Sequence, residues 1–249
     1  DGDTDYLEPE EKDRLLHMDD REMLEQVFDK LHEVSISRAL KTEAELHALQ
    51  NQINPHFLYN TLEIIRSRAM RRGSEDVAEM AEALGMLFRY CINSPGELAT
   101  LAQELDNVHH YLLIQRYRYG DRFTYEEHIE NEDVMDSSLP VMTLQPLVEN
   151  AIIHGLDGCA NGYICIYAAQ KDGILRISVT DDGCGMGQEM LDWMNSPNPA
   201  KRDGHLGLYN VIQILKLYYG EEYGIQAESD TSGTTVTIRL PAKKEAPHV

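Results

Sequence analysis

The sequence predicts an α plus α/β protein, with a helical hairpin that pairs in a dimeric four-helix bundle, followed by an α/β sandwich. Three observations predict it. Apolar residues recur at helical spacing, almost without proline, from about Asp19 to Met70 and again from Glu75 to Ile92. Beyond residue 120 the pattern changes to apolar–polar alternation in short runs, the signature of half-buried strands. Between those runs lie two apolar helical segments and several glycine-rich breaks.

In chain order, Met23, Val27, Leu31 and Val34, then Leu46, Leu49 and Ile53, mark helix within residues 1–38 and 39–95. Arg71-Arg72-Gly73-Ser74 is a stop and restart, in which Gly73 ends one helix and Ser74 caps the next. Val77, Met80, Ala81, Leu84, Leu87 and Phe88 give the second helix an apolar stripe. Two such helices cannot hide both apolar faces alone, so a parallel homodimer is expected. Asn93 to Gly96 marks a break. Within 96–122 a connecting helix, Leu101 to Tyr119, presents Leu105, Val108, Leu112, Ile114 and Tyr117 to the hairpin and the following domain. That domain, 123–242, reads as strands near Thr124–Ile129, Ile164–Ala169, Ile174–Thr180, Ile225–Glu228 and Thr235–Leu240, with helices at Met142–His154 and Leu206–Tyr219. Gly187 to Asp203, with Ser196-Pro197-Asn198-Pro199, reads as a loop-rich lid in which Trp193 anchors packing. Residues 243–249 form a polar tail.

The run Leu49 to Leu62 carries chemistry. His56 follows Pro55 inside an amphipathic helical stretch. A helix-interior proline costs about 3 kcal/mol, which a sequence meant only for packing avoids. Gln52, His56 and Asn60 stand four apart on one helix face, with Glu63 one turn on. With amide neighbours and no cluster of Cys or His, this imidazole reads as a nucleophile rather than a metal ligand.

Three later segments form a spaced set. In Leu144 to Gly155, Asn150 and His154 share one face of an apolar helix. From Ile177 to Gly187 a strand breaks into Asp181, Asp182 and glycines at 183, 185 and 187. A carboxylate there can accept a hydrogen bond from an exocyclic amine such as that of adenine, and the glycines let the backbone approach the base. Asp203 to Asn210 puts glycines ahead of a helix N-terminus, where free N–H groups and the positive dipole end suit phosphate. No Gly-Lys-Ser/Thr follows any glycine run, and no strand–GxGxxG–helix unit is present, so Walker-type and dinucleotide sites are excluded.

The set resembles the cytoplasmic kinase core of the LytS/YesM-type sensor histidine kinases. Gln52 to Leu62 resembles their phosphoacceptor box, Leu144 to Gly155 their N-box, Asp181 to Gly187 their first glycine box, Gly207 to Val211 their second, and Gly233 to Pro241 the closing strand of the same GHKL (Bergerat) ATPase fold. The resemblance implies autophosphorylation on His56 from ATP and Mg²⁺, and transfer to an aspartate of a response regulator receiver domain. It implies that Asn150 coordinates the Mg²⁺, that Asp181 reads the adenine amino group, and that Gly183, Gly185 and Gly207 shape the pocket and lid. His154, Gly187, His205, Leu208 and Thr234 complete the expected nucleotide site. Asn60 would orient the imidazole, and Glu149 or Glu63 would serve as base. Positioning and charge neutralisation are most of what phosphoryl transfer needs.

Several positions depart from that pattern. Phe57 stands where most histidine kinases outside this family carry an acid, Ile153 where many relatives carry Lys, His205 where a lid glycine is common, and Ile214 where relatives often have Arg. They point to weaker ATP affinity or slow turnover. Two other readings predict different chemistry: a same-fold ATPase would release free phosphate, and a degenerate scaffold would bind nucleotide without phosphohistidine.

The 249 residues carry a formal net charge of −21, which argues against nucleic acid or an anionic membrane as a direct partner. The four cysteines, Cys91, Cys159, Cys165 and Cys184, lack metal or disulfide-framework spacing and read as reduced thiols. No run of 18 apolar residues is present. Asp20 to Leu31 resembles the second helix of a HAMP relay, so an upstream membrane sensor is expected, with this chain as its cytoplasmic portion.

Overall fold

The computed structural model describes residues 55–93, 98–120, 122–156, 161–202 and 204–242. The expected HAMP-like helix, Gln52, the side chains of Pro55, His56 and Phe57, Cys159, the break at 94–96 and the tail lie outside what is described, as does any kink ahead of Pro55.

Helices α1 (Pro55–Arg72) and α2 (Glu75–Asn93) form the hairpin. Gly73, at φ 71°, turns the chain in the left-handed region that costs glycine nothing. Its N–H donates to the Met70 carbonyl and that of Ser74 to Ala69, the paired bonds of a Schellman stop. The stripe on α2 is buried: Ala81, Leu84, Leu87 and Phe88 are each at most 3% exposed. Helix α3 (Leu101–Tyr119) covers much of this stripe from within the chain, as its own apolar residues imply. Large apolar side chains exposed on the hairpin are Ile64, Met70 and Met86.

Thr100 starts α3 with a capping box, its hydroxyl accepting from Gln103 N–H while the Gln103 amide oxygen accepts from Thr100 N–H. Leu105, Val108 and Leu112 are buried as expected, and so is Tyr111. Tyr117 instead is exposed and donates to Glu79 of α2.

Beyond α3 the chain forms β2 (Phe123–Ile129), a 3-10 turn (Glu132–Asp136), β3 (Ser138–Pro140), α4 (Gln145–Asn150) and a π turn (Ala151–Gly155). Then come β4 (Gly162–Lys171), β5 (Ile174–Asp181), α5 (Gln188–Met194), α6 (Leu206–Tyr219), β6 (Gly224–Asp230) and β7 (Gly233–Pro241). The main sheet has the order β2-β4-β5-β7-β6, with β2 parallel to β4 and the other pairs antiparallel. Its inner face, including Ile164, Ile166, Ile177, Val179, Ile238 and Leu240, shares one core with α3, α4 and α6. The outer face carries hydroxyl pairs, Ser178 with Thr237 and Thr180 with Thr235. Such one-sided burial gives an antiparallel sheet its clean alternation.

Three expectations need correction. The helix expected over Met142–His154 starts only at Gln145, because Met142 sits at φ 66° and cannot continue a right-handed helix. Its last turn is π rather than α, with Leu156 N–H donating to the Ala151 carbonyl. The expected lid loop contains a helix, α5. A further small sheet pairs β1 (Leu98–Thr100) with β3, strands too short for alternation to reveal.

Candidate functional site

Helix α4 presses its apolar side, Leu147 and Val148, into the core and leaves its other side along a cleft of about 300 Å³. Glu149, Asn150, Ile153 and His154 form one wall; Gly204, His205, Gly207 and Leu208, at the start of α6, form the other. Asn150 and His154 were expected to share a face by α-helical spacing. The π turn between them widens the helix, yet both line the cleft. π turns are frequent at functional sites because one inserted residue re-aims its neighbours. The α6 end brings glycine-flanked backbone N–H groups and the positive end of a helix of 14 residues, an electrostatic setting for anionic groups.

Asp181 lies behind this cleft, not on its wall. It ends β5, is 4% exposed, and accepts a hydrogen bond of 3.0 Å from Gly183 N–H. Burial pushes its pKa up, partly offset by that bond and one from Thr234 N–H. Thr234 is its register partner on β7. A β-carbon on Gly183 would lie 1.8 Å from the Gly155 carbonyl oxygen, and one on Gly155 would lie 2.6 Å from Asp181 Oδ1. Cys184 N–H closes the junction by donating to the Gly155 carbonyl. The end of the π turn and the glycine break after β5 therefore pack backbone to backbone. Gly185 backs onto Asp230 in the same manner, and Gly187 precedes α5.

The chain from α5 to residue 202 is pinned by Trp193, whose Nε1–H donates to the Ala200 carbonyl at 2.7 Å. The His205 ring stands 5.2 Å from that of His154 and 6.4 Å from that of Trp193. Burial, with His154 and Arg202 nearby, pushes the His205 pKa down, so the neutral imidazole is favoured there. Among the described residues no three His, Cys, Asp or Glu side chains cluster as a metal site.

A sequence model described as "Histidine kinase" matches residues 44–123, and one described as "Histidine kinase-, DNA gyrase B-, and HSP90-like ATPase" matches residues 135–244. The chain belongs to the histidine kinases. It is 36% identical over 228 residues to "Sensor histidine kinase YesM" of Bacillus subtilis (strain 168), covering 90% of this chain and 38% of that protein. It is 33% identical to "Sensor histidine kinase BtsS" of Escherichia coli (strain K12), covering 84% and 35%. It is 32% identical to "Sensor protein LytS" of Oceanobacillus iheyensis, covering 82% and 35%. The chain thus spans well under half the length of these curated relatives. The second match makes the sheet domain an ATPase-type domain, and ATP binding goes with it.

The hairpin and the cleft beside α4 present separate hollows. Asn60 and Glu63 line one of about 370 Å³ between α1 and α2, with Arg66, Glu82 and Arg89 at its edges. Glu63 bonds to Arg66 at 2.7 and 3.0 Å, and that pairing lowers its pKa, leaving it a weaker base than the sequence alone implies. Glu149 stands in the other hollow, so the two candidate bases are not brought together. Among the departures, Ile153 is 39% exposed on the cleft wall, whereas Ile214 packs against the core. Two contributors were not singled out from sequence: Gly155, whose position at the end of an apolar helix was its only signal, and Gly204 on the cleft wall.

Proposed function

We propose that this chain is the catalytic core of a two-component sensor kinase that transfers the γ-phosphate of ATP to His56, and from there to an aspartate on a response regulator receiver domain. One observation carries the reading: a single chain joins the Pro55-His56 box on a helical hairpin to a cleft where Asn150, His154 and Gly207 converge. In this reading residues 39–95 form the dimerisation and phosphoacceptor unit, 96–122 the connecting helix and 123–242 the nucleotide domain.

The residues at the cleft fit the expected ligands. Asn150 offers a nearly buried amide at the wall, and Mg²⁺ is commonly held by one or two protein oxygens, with substrate phosphates and water completing the shell. Asn150 would hold that ion. Asp181 would accept from the adenine amine, seated by Gly183 and Thr234, while Gly185 and Gly187 keep the approach open. The α6 N-terminus at Gly207 and Leu208 would receive phosphate, with His154 and His205 beside it. Asn60 would orient the His56 ring, and Glu149 would serve as the base. The exposed apolar side chains of Ile64, Met70 and Met86 on the hairpin support pairing of two hairpins in a homodimer. As with sensor proteins generally, the chain would work on the cytoplasmic side of a membrane through a sensor region outside it; no described helix is long and apolar enough to cross one.

The test is incubation with γ-labelled ATP and Mg²⁺, comparing the parent with His56→Gln and Asn150→Ala. Acid-labile, alkali-stable label on the parent and none on His56→Gln supports the kinase. Bound nucleotide with no label favours the scaffold reading, and free phosphate with no label favours the ATPase.

A further inference from the structure

Glu104 of α3 is fully buried, yet it has a complete set of donors. Its Oε1 accepts from Met142 N–H at 2.7 Å and from the Tyr90 hydroxyl; its Oε2 accepts from Leu144 N–H at 2.7 Å, and Thr143 N–H also points at the carboxylate. Three consecutive backbone N–H groups turned on one anion form a nest. The turn that aims them requires Met142 at φ 66°, a strained conformation for a residue with a side chain. The backbone N–H groups can only donate and the Tyr90 hydroxyl can donate as well, so they favour the ionised carboxylate against the burial that pushes its pKa up, and an amide in its place would turn a donor towards them.

The origin of the donors is what matters. Met142, Thr143 and Leu144 lead directly into α4, which carries Glu149 and Asn150. Tyr90 belongs to the last turn of α2, the second helix of the hairpin. Asn107, one turn beyond Glu104, donates to the Gln145 side chain at 2.8 Å and so holds the first residue of α4 as well. Cys91 and Asn107 also flank the Met142 sulfur, at 3.4 and 3.6 Å. Hairpin, connecting helix and the entrance to the nucleotide helix meet on one carboxylate.

We propose that Glu104 is a positioning residue that couples the hairpin to the nucleotide cleft, with the Tyr90 hydroxyl as the detachable half of the coupling. The nest fixes Glu104 to the α4 entrance, and the hydroxyl ties the same carboxylate to α2. Breaking the hydroxyl contact frees the hairpin end without opening the nest. The rate readout rests on the kinase reading above, whereas the exchange readout does not.

Tyr90→Phe keeps the ring and removes only the hydroxyl. We expect autophosphorylation to slow by about tenfold, as for loss of one charge-assisted hydrogen bond, with ATP affinity close to the parent's and the melting temperature lowered only by the loss of that one bond. In parallel, amide exchange is followed with and without a non-hydrolysable ATP analogue. In the parent, the analogue should slow exchange at both 142–152 and 86–93; in Tyr90→Phe, only at 142–152. Glu104→Gln, which turns a donor towards the nest, should raise exchange at 142–144 even without nucleotide. A parent that takes no label on His56 defeats the kinase reading and leaves the exchange result to decide the coupling. Tyr90→Phe with the parent's exchange pattern at 86–93 overturns the coupling, as does a loss of rate matched by equal losses in affinity and melting temperature.

Discussion

Gly155 approaches Asp181 so closely that a β-carbon on it would stand 2.6 Å from the carboxylate oxygen. The contact joins the end of the π turn after α4 to the end of β5, so Gly155→Ala must displace one of them. We expect it to cost about 1–3 kcal/mol in stability and to weaken ATP binding, since the shift falls on the seat of Asp181. Thermal melts and calorimetric titration with ATP check both.

Asp181→Asn keeps the shape and one carbonyl oxygen but loses the charge. If the carboxylate reads the adenine amine, ATP affinity should fall roughly tenfold or more, the scale of a hydrogen bond to a charged group. Stability should move less, because burial already disfavours the charged form here. Titration with ATP and GTP provides the check: the substitution should narrow the preference between the two bases.

Leu87 is 1% exposed in the hairpin, packed between α1 and α3. Leu87→Ala should destabilise the helical part by about 2–5 kcal/mol through lost transfer energy and the cavity left behind. Chemical denaturation followed by circular dichroism measures it.

The contact between α3 and β2 should depend on pH. His109 Nε2 lies 2.6 Å from Glu127 Oε1, which also accepts from the Tyr125 hydroxyl. The bond to Glu127 holds the His109 pKa above 6.5, so the folded state binds that proton more tightly than the unfolded chain does. Burial opposes ionisation of Glu127, but the bonds from His109 and Tyr125 outweigh it and hold its pKa below 4.5. The pair's contribution is therefore fullest between about pH 4.5 and 6.5. It fades as pH rises through the folded His109 value, or as pH falls through that of Glu127. The difference in melting temperature between the parent and His109→Gln should be largest in that window and shrink on either side.

The sheet was legible because each strand alternates over one buried face: Ile164, Ile166 and Ala168 need only their neighbours' polarity to be read. The hairpin stop was legible because only glycine turns there without cost. The start of α4 was not, since Met142 and Leu144 continue an apolar rhythm while Met142 adopts a positive φ for the sake of Glu104. Backbone N–H donors carry no side-chain signal, so the partners of a buried carboxylate cannot be read from residue types. The same blindness hides the π turn, which differs from α only in its hydrogen bonds. Periodicity shows that the α2 face needs a partner without naming it, and α3 supplies much of that partner from within the chain. Among site residues, the motif spacing brought Asn150, His154, His205 and Gly207 to one cleft, while Asp181 was seated behind it.

The pairing of β5 with β7 joins positions such as Ser178 and Thr237, which are 59 residues apart. Closing that span costs chain entropy before any sheet contact repays it, whereas the turn of the hairpin closes over a handful of residues. The two halves should therefore form at different speeds, α1 and α2 early and the sheet later. The carboxylate of Glu104 is not sealed until Met142 to Leu144 fold over it, so the assembled site waits on the slower half.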